Sequence, residues 1–432
     1  MTVYLACLRR RKKQRREKSV MAVLTEKRNP GICHFSPDRN PGLILEEGEK
    51  GRSPAARILI GGDFCPLRRY EEKLLRKEAI FSEELSDCFS RHDFTLVNLE
   101  APLCDNTLST ASRMGFGLRC SPSLAPSLKT LGIDAVTLAN NHILDFRAEG
   151  LFQTLKNLDR ASIPHAGAGK DLEEAEQPLE VLCGANLRLG IWALAEKELN
   201  CAGEHSPGSA FFSPERNLPV ISGLRSRCDF LLVSIHAGHE FTSIPSPRIR
   251  SAYRAFIDAG ADLVVGHHPH VMQGVERHGR GWIAYSLGNL VFDSDYVSAY
   301  AGTDLGFLLS AGISHHHVDT LSLIPYRMSP SQTVELLKPE EVHSFQQNLG
   351  DISAPLAEKN AYRSAWEDSV RFRWETAYRE ILRDFSTHFF DPENADYALR
   401  AGNLLSCPTH LEMLQEICRM LEEGKLSRTS GD

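Results

Sequence analysis

The sequence contains no long apolar run and no apolar segment near its start. A helix that spans a bilayer needs about 20 consecutive apolar residues, and no such run occurs in the 432 residues. The start, MTVYLACLRRRKKQRREKSV, is charged where a secretory signal has its apolar segment. These absences argue against the membrane-spanning and secreted classes. We therefore expect a cytoplasmic protein without a transmembrane segment.

Paired cysteine motifs are also missing. The 11 cysteines are scattered, and none forms a CxxC pair. Such a pair would indicate a thiolate zinc site, and an even set in a short secreted chain would indicate a disulfide framework. The cysteine usage fits a reducing compartment and excludes both of these classes of site.

An excess of positive charge is confined to one short segment. The net charge is −7, whereas residues 9–18 (RRRKKQRREK) carry +7, which leaves −14 for the remainder. An acidic remainder disfavours a nucleic-acid partner, although the basic run itself could contact RNA or anionic lipid. Residues 1–55 show no apolar period, and we expect them to form a disordered, solvated tail.

From Arg57 onward, apolar runs alternate with amphipathic stretches. The predicted strands are RILIGG, FTLVNLE, IDAVTLANNH, DFLLVSIHAGHE, ADLVVGHHPH and GWIAYSLGNLVFD, followed by the antiparallel strands TDLGFLLSAGI, HVDTLSLIPYRM and QTVELL. The predicted helices are residues 71–92, SPSLAPSLKTLG, 213–227 and SPRIRSAYRAFIDAG. This order predicts an α/β or α+β domain over residues 56–339 with a mostly parallel sheet. A helical region is predicted at residues 340–432.

Polar side chains follow the predicted strands one after another. They are Asp63, Glu100, Asn140, Asn141, His142, His236, His268, His270 and Asn289. Each has an ordinary explanation when taken alone, as a helix cap, a turn residue or a surface histidine. Six strand ends that carry the same kind of group favour a site, because ligands of open α/β sheets bind beyond the carboxyl ends of the strands. Oxygen and imidazole ligands without thiolates suit Mn, Fe or Zn.

The segment GHHPH places three histidines directly after an apolar run. If the segment is extended, His268 and His270 point the same way and can bind one site together. Pro269 favours an extended backbone at His268. His267 then points elsewhere, and we expect it to be a hydrogen-bonding neighbour rather than a ligand.

At these residues the chain resembles the CapA type of capsule or poly-γ-glutamate synthesis protein. The resemblance rests on GGDF, VNLEAPL, LANNHILDF, HAGHEF, GADLVVGHHPHVMQGVE and AYSLGNLVFD. It covers roughly residues 56–330. That family is similar to the calcineurin-like metallophosphoesterases, which implies a four-layer sandwich of two mixed sheets flanked by helices. The resemblance also implies two divalent cations, either Mn, Fe or Zn.

The resemblance further implies a role for each site residue. Asp63 and His270 would bind the first metal, Glu100 would bridge both, and Asn141, His236 and His268 would bind the second. His142 would face the leaving group as the catalytic residue. The remaining candidates, which would contact the substrate or support the ligands, are Asn140, Asp145, Glu240, His267 and Asn289. Cys65 stands where the superfamily's Asp-x-His start has histidine, and Glu100 stands where its bridging aspartate lies.

Three hypotheses about function follow. The first is a metal-dependent phosphoesterase or related hydrolase that acts on a small-molecule or polymer substrate. The second is a non-catalytic accessory component of capsular poly-γ-glutamate synthesis or export, and the third is a metal-binding regulatory module. A further histidine cluster, SHHHVD at 314–319, could suggest another metal site, but we expect a solvated strand edge there.

Overall fold

The computed structural model describes residues 43–46, 53–110, 117–198, 200–388 and 395–426. The strands are β1 Leu43–Glu46, β2 Ala56–Cys65, β3 Phe94–Leu99, β4 Ala135–Thr137, β5 His165–Ala166, β6 Ala168–Gly169, β7 Leu179–Cys183, β8 Leu187–Ala195, β9 Gly208–Ser209, β10 Phe230–His236, β11 Leu263–His267, β12 Val275–His278, β13 Gly281–Ala284, β14 Asn289–Phe292, β15 Leu305–Ser314, β16 His317–Met328 and β17 Val334–Leu336. The helices are α1 Arg69–Leu75, α2 Glu83–Ser90, α3 Ala125–Thr130, α4 Arg147–Ala161, α5 Leu172–Ala175, α6 Pro214–Arg227, α7 Pro247–Ala259, α8 Pro339–Ser353, α9 Lys359–Arg373, α10 Arg379–His388, α11 Ala395–Ser406 and α12 Pro408–Glu422. A π-helical turn, Trp374–Tyr378, joins α9 to α10.

Two mixed sheets form the centre of the molecule. The nine-stranded sheet has the order β1-β16-β15-β2-β3-β4-β5, with β14 beside β2 and β17 beside β16. The six-stranded sheet has the order β12-β13-β11-β10-β8-β7. Strands β2 to β5 are parallel in the first sheet, and β8, β10, β11 and β13 are parallel in the second. The antiparallel strands lie toward the edges.

The side-chain alternation of β2 shows how the layers pack. Ile58 and Ile60 belong to the hydrophobic cluster that contains the six-stranded sheet, α6 and α7, whereas Leu59 belongs to the cluster that contains α1 to α4. Because successive residues of a strand point to opposite faces, the nine-stranded sheet packs helices on one face and the second sheet on the other. The predicted sandwich of two mixed sheets flanked by helices is thereby confirmed.

The single helix predicted at residues 71–92 is wrong, because the segment forms two helices. Lys77, two residues after the end of α1, adopts a left-handed backbone with φ of 58°. Phe81 then pairs with Val334, and the Ser82 side chain accepts a hydrogen bond from the Leu85 N–H to begin α2. A tertiary strand contact therefore interrupts a segment that is amphipathic throughout.

The single strand predicted for GWIAYSLGNLVFD is also wrong. Its first part is β13 in the six-stranded sheet, and its last part is β14 in the nine-stranded sheet. The chain crosses between the sheets at residues 285–288. This crossing places Asn289 opposite Asp63 in the pairing of β14 with β2. Strand β8, a central strand of the six-stranded sheet, was not predicted at all.

The N-terminal tail predicted at residues 1–55 requires a correction. Strand β1 pairs with β16 at the edge of the nine-stranded sheet, so Leu43–Glu46 belong to the fold. The Ala55 carbonyl also accepts a hydrogen bond from the Ala185 N–H. The rest of the prediction, over residues 1–42 and 47–52, lies outside the described residues. None of the helices in the described part of the chain is long and apolar enough to cross a membrane.

The predicted helical C-terminal region is present and contacts the sandwich closely. The side chains of α8 join the main hydrophobic cluster through Val342 and Phe345. Farther along, α12 is held by Arg248 of α7, whose guanidinium donates to Glu412 (Nε–Oε2, 3.4 Å) and to buried Glu196 (Nη2–Oε2, 2.6 Å). The helices after residue 339 therefore pack against the end of the sandwich instead of extending away from it.

The histidine cluster at 314–319 forms the turn between β15 and β16. His316 has a left-handed φ of 59°, and the exposed His315 pairs with Asp229 at 3.3 Å between Nδ1 and Oδ1. Among the described residues, these histidines take part in no group of side chains with the geometry of a metal site. The segment is a solvated hairpin edge.

Candidate metal centre

The predicted site residues come from both sheets and meet at one end of the sandwich. Asp63 lies in β2, Glu100 follows β3, and Asn141 lies in the turn after β4. The six-stranded sheet supplies imidazoles, since His236 ends β10 and pairs in register with His267, which ends β11. The structure brings together all six candidate ligands, which are Asp63, Glu100, Asn141, His236, His268 and His270. Their roles as ligands remain predictions.

Two glycines allow the crossing chain between β13 and β14 to approach the site-bearing strands. A Cβ at Gly62 would lie 1.9 Å from the Gly288 carbonyl oxygen, and one at Gly266 would lie 1.9 Å from that of Tyr285. A side-chain carbon cannot approach a carbonyl oxygen this closely, so each position requires glycine. The glycines that precede Asp63 and His267 therefore allow the crossing chain to pack closely against both sheets.

The extended geometry predicted for GHHPH is wrong. Strand β11 ends at His267, and both His268 and His270 have positive φ values, of 94° and 57°. Such conformations are unfavourable for residues other than glycine and persist where the surroundings determine them, often at functional sites. The two imidazoles point into the same site because the chain makes a strained turn there. They do not do so as residues i and i+2 of an extended strand.

One group of ligand atoms surrounds Nε2 of His236. Asn141 Oδ1 lies 3.0 Å from this nitrogen, His268 Nδ1 lies 3.2 Å from it, and Glu100 Oε1 lies 3.6 Å from it. Atoms that share one metal at about 2.1 Å are separated from one another by about 3–4 Å. This group has the spacing of one coordination sphere.

A second group surrounds His270. Its Nδ1 lies 3.7 Å from Asp63 Oδ2, and its Nε2 lies 3.8 Å from Glu100 Oε1. Asn289 Oδ1 approaches Nδ1 at 2.9 Å. Glu100 therefore belongs to both groups, together with His236 and His268 in one and with Asp63 and His270 in the other.

Glu100 is the most unusual side chain of the cluster. It is fully buried, and neither carboxylate oxygen has a hydrogen-bond partner among the described residues. Burial and the nearby Asp63 carboxylate raise the pKa of Glu100 well above its usual range. A buried carboxylate without donors is unfavourable unless a cation compensates it. The residues present therefore fit a bound metal cation.

The neighbouring groups are in the protonation states that metal binding needs. Burial lowers the pKa of His236 far below its usual value and that of His268 to about 4, so both imidazoles are neutral at pH 7. Burial alone would raise the pKa of Asp63, but the nearby imidazoles of His267, His236 and His270 outweigh it and hold that pKa well below its usual range. A charged carboxylate beside neutral imidazoles is a suitable ligand set for a divalent cation.

His142 is oriented by a second carboxylate. Its Nδ1 lies 2.9 Å from Asp145 Oδ2, while its Nε2 faces Glu100 Oε1 at 3.9 Å. Burial lowers the pKa of His142, but Asp145 outweighs burial and the net shift is upward. Asn140 does not reach the cluster: its Oδ1 accepts from the His142 N–H, and its Nδ2 donates to the Leu99 carbonyl. His142 is thus a partly exposed, readily protonated imidazole at the border of the cluster.

Two further candidates, Glu240 and His267, lie beside the ligands, and Cys65 lies close by. Glu240 has a carboxylate oxygen within 4.8 Å of ring nitrogens of His268 and His270. His267 lies against Asp63, with 3.3 Å between Nδ1 and Oδ1. The Cys65 thiol is buried in the hydrophobic cluster below the site and donates to the Glu100 carbonyl. Cys65 therefore does not replace the missing histidine of the Asp-x-His pattern.

Three residues near the site were not predicted from the sequence. Asn98 Nδ2 donates to Asp63 Oδ1 (2.8 Å) and to His236 Nδ1 (3.1 Å), and so connects the two sheets. The sequence did contain a signal for Asn98, because an asparagine is unusual inside the largely apolar strand FTLVNL. Burial and Glu240 raise the pKa of Glu198 to about 7. Arg373 comes from the C-terminal helices, where no motif marks it.

Comparison with known proteins identifies the family. The sequence pattern of the family described as bacterial capsule synthesis protein PGA_cap matches residues 57–294. The PGA biosynthesis protein CapA of Bacillus subtilis is 30% identical over 234 residues, which cover 53% of this chain and 61% of that protein. A probable polyglutamine synthesis accessory protein of Mycobacterium tuberculosis is 27% identical over 253 residues, which cover 55% of this chain and 66% of that protein.

Solved structures are more distant. A hypothetical protein from Thermus thermophilus is 14% identical, with a TM-score of 0.41, and the alignment covers 63% of this chain and 99% of that one. The chain spans less than two thirds of the length of the CapA relatives that it matches. Because the family pattern covers more than half of the sequence and contains every predicted ligand, the chain belongs to the PGA_cap family of bacterial capsule synthesis proteins.

Proposed function

We propose that the chain is a metal-dependent hydrolase of phosphoester bonds with a dinuclear centre. The observation that carries this proposal is the position of Glu100. Its buried oxygens have no donor among the described residues, and its carboxylate belongs to both ligand groups. A bridging carboxylate accounts for both facts, because two cations would compensate the charge and satisfy the oxygens.

The side chains around the cluster have complementary roles. Two bound divalent cations, either Mn, Fe or Zn, would activate a water molecule and neutralise phosphoryl oxygens. Asp63 and His270 would hold the first cation, and Asn141, His236 and His268 the second. His142, oriented by Asp145, would donate a proton to the departing oxygen. Asn98 and Asn289 would keep the ligands of both sheets in position.

The alternative is an accessory protein of capsular polyglutamate synthesis or export without its own catalytic step. The name of the Mycobacterium relative favours it. In that case the same site would bind a metal and a polymer but would cleave nothing. We propose a small-molecule or polymer substrate, and the acidic charge outside residues 9–18 disfavours nucleic acid. The cytoplasmic location stays a prediction.

Metal analysis and a substrate panel test the proposal. The purified chain is analysed for metal content and is then assayed with p-nitrophenyl phosphate and bis-p-nitrophenyl phosphate in the presence of Mn²⁺, Fe²⁺ or Zn²⁺. We expect about two metals per chain and metal-dependent hydrolysis of at least one ester. Two bound metals without hydrolysis of any ester would favour the accessory role, and a chain that binds no metal would refute both.

A further inference from the structure

Arg373 is a buried cation of the C-terminal helices close to the candidate metal centre. It is the last residue of α9 and directly precedes the π-helical turn, a feature that occurs frequently at functional sites. The residue is 7% exposed. Its guanidinium carbon lies 5.6 Å from the ring centre of Phe241, and that ring lies 5.9 Å from the ring of His270. A residue of the C-terminal helices is therefore separated from a candidate metal ligand by one aromatic ring.

The Nη1 of Arg373 is buried and has no hydrogen-bond partner in the described part of the chain. The rings of Phe241 and Tyr378 attract the charge, and the Tyr378 hydroxyl is engaged with His410 Nδ1 at 2.6 Å. Nη1 carries two of the five N–H donors of a guanidinium, and burying them unsatisfied is unfavourable.

The nearby carboxylate of Glu240 does not satisfy these donors. Glu240 Oε2 accepts a hydrogen bond from the Tyr296 hydroxyl at 2.9 Å, and its carboxylate groups with the imidazoles of His268 and His270. The loop that carries it is fixed, because the Phe241 N–H donates to the Pro269 carbonyl at 2.8 Å. The Arg373 donors thus remain available beside the metal centre.

We propose that Arg373 binds an oxyanion of the substrate, a phosphoryl or carboxylate group, next to the metal centre. The identity of that group as part of a substrate rests on the proposed function. A guanidinium forms paired, charge-assisted hydrogen bonds with either anion. The site would then be completed by a residue outside the segment that matches the family pattern, which ends at residue 294.

Anion titration of the full chain tests this inference. Orthophosphate and glutarate are titrated calorimetrically, in the presence of Mn²⁺ and after chelation, into the wild type and the variants Arg373→Gln, Arg373→Lys and Arg371→Gln. Arg371 is the matched control, since it lies in the same helix, is partly exposed and pairs with Asp368. We expect Arg373→Gln to weaken binding of at least one anion about 10- to 100-fold, with unchanged metal content. The anion affinity of Arg373→Lys should lie between those of the wild type and of Arg373→Gln, because lysine keeps the charge but lacks the planar fork of donors.

The outcomes separate this inference from the proposed hydrolysis. A selective loss of orthophosphate affinity assigns a phosphoryl group, and a selective loss of glutarate affinity assigns a carboxylate. Unchanged affinity for both anions in Arg373→Gln, equal weakening in Arg371→Gln, or a wild type that binds neither anion would overturn the inference. A wild type that binds an anion through Arg373 but cleaves no ester would refute the hydrolase alone.

Discussion

The nine-stranded sheet places carboxylate and amide groups in the candidate metal centre, whereas the six-stranded sheet places imidazoles there. The oxygen side is anchored in regular strands, with Asp63 inside β2 and Glu100 just after β3. The imidazoles of the six-stranded sheet depend on a turn in which two histidines, His268 and His270, have positive φ values. Neither sheet alone holds a complete ligand set. Metal binding should therefore report whether the two sheets have docked.

The largest effect is expected from removing the residue that serves both ligand groups. Glu100→Gln keeps the size of the side chain but removes the bridging charge. We expect this variant to lose metal and turnover together. Its loss of turnover should exceed the effect of losing a proton donor, which is about 10²–10⁴-fold. Metal should also raise the melting temperature of the wild type, because it binds the folded state, and this increase should vanish in the variant. Normal metal content in Glu100→Gln would contradict the bridging role.

The next effect separates a ligand of the imidazole side from a proton donor beside it. We expect His142→Ala to keep near-normal metal content but to lose turnover about 10²–10⁴-fold. His268→Ala should lose both metal and turnover. The measurement is metal stoichiometry beside the rate on any phosphodiester that the wild type cleaves. Metal loss in the His142 variant, or full activity in it, would refute its assigned role.

Asp145 gives this assignment a pH signature. Because Asp145 raises the pKa of His142, the proton donor stays protonated to higher pH in the wild type. Asp145→Asn should shift the alkaline limb of the rate profile to lower pH without metal loss. A profile that only decreases in height would mean that Asp145 merely supports the loop.

The strand ends of the site were predictable because an apolar run followed by a polar residue is a local pattern. Asp63, Glu100 and His236 follow from it. The turn at His268 was not predictable, because its positive φ values occur beside contacts with residues distant in sequence: the His268 N–H donates to Asp63 Oδ2, and the Pro269 carbonyl accepts from the Phe241 N–H. Arg373 had no local signal either, since its position depends on how distant helices pack against the loop after β10.

A smaller effect concerns stability of the metal-free protein. Burial holds the pKa of His268 at about 4, below its ordinary 6.5. Between these values the unfolded chain binds more protons, so this histidine makes stability fall as pH decreases from 6.5 to 4. The contribution is on the order of 3 kcal/mol.

Denaturant unfolding of the metal-free wild type and of His268→Gln at several pH values checks this contribution. The raised pKa of Glu100 acts in the opposite direction and is present in both proteins, so the difference between the two profiles reports His268 together with its coupling to Glu100. Parallel pH profiles for the two proteins would contradict the neutral, buried state of this imidazole.

The smallest effect concerns the edge of the nine-stranded sheet that is remote from the site. Strand β1 pairs with β16 through Leu43–Leu323 and Ile44–Ser322, and β16 and β15 separate it from β2. Removing residues 1–42 should leave the melting temperature nearly unchanged, whereas removing residues 1–52 should lower it by a few degrees and expose the β16 edge to association. Metal content should be equal in both variants, because the ligands of this sheet lie in and beyond β2, β3 and β4. An equal loss of stability in the shorter truncation would show that residues 1–42 also pack on the fold. A change in metal content would show that the oxygen side of the centre depends on the whole sheet and not on its central strands.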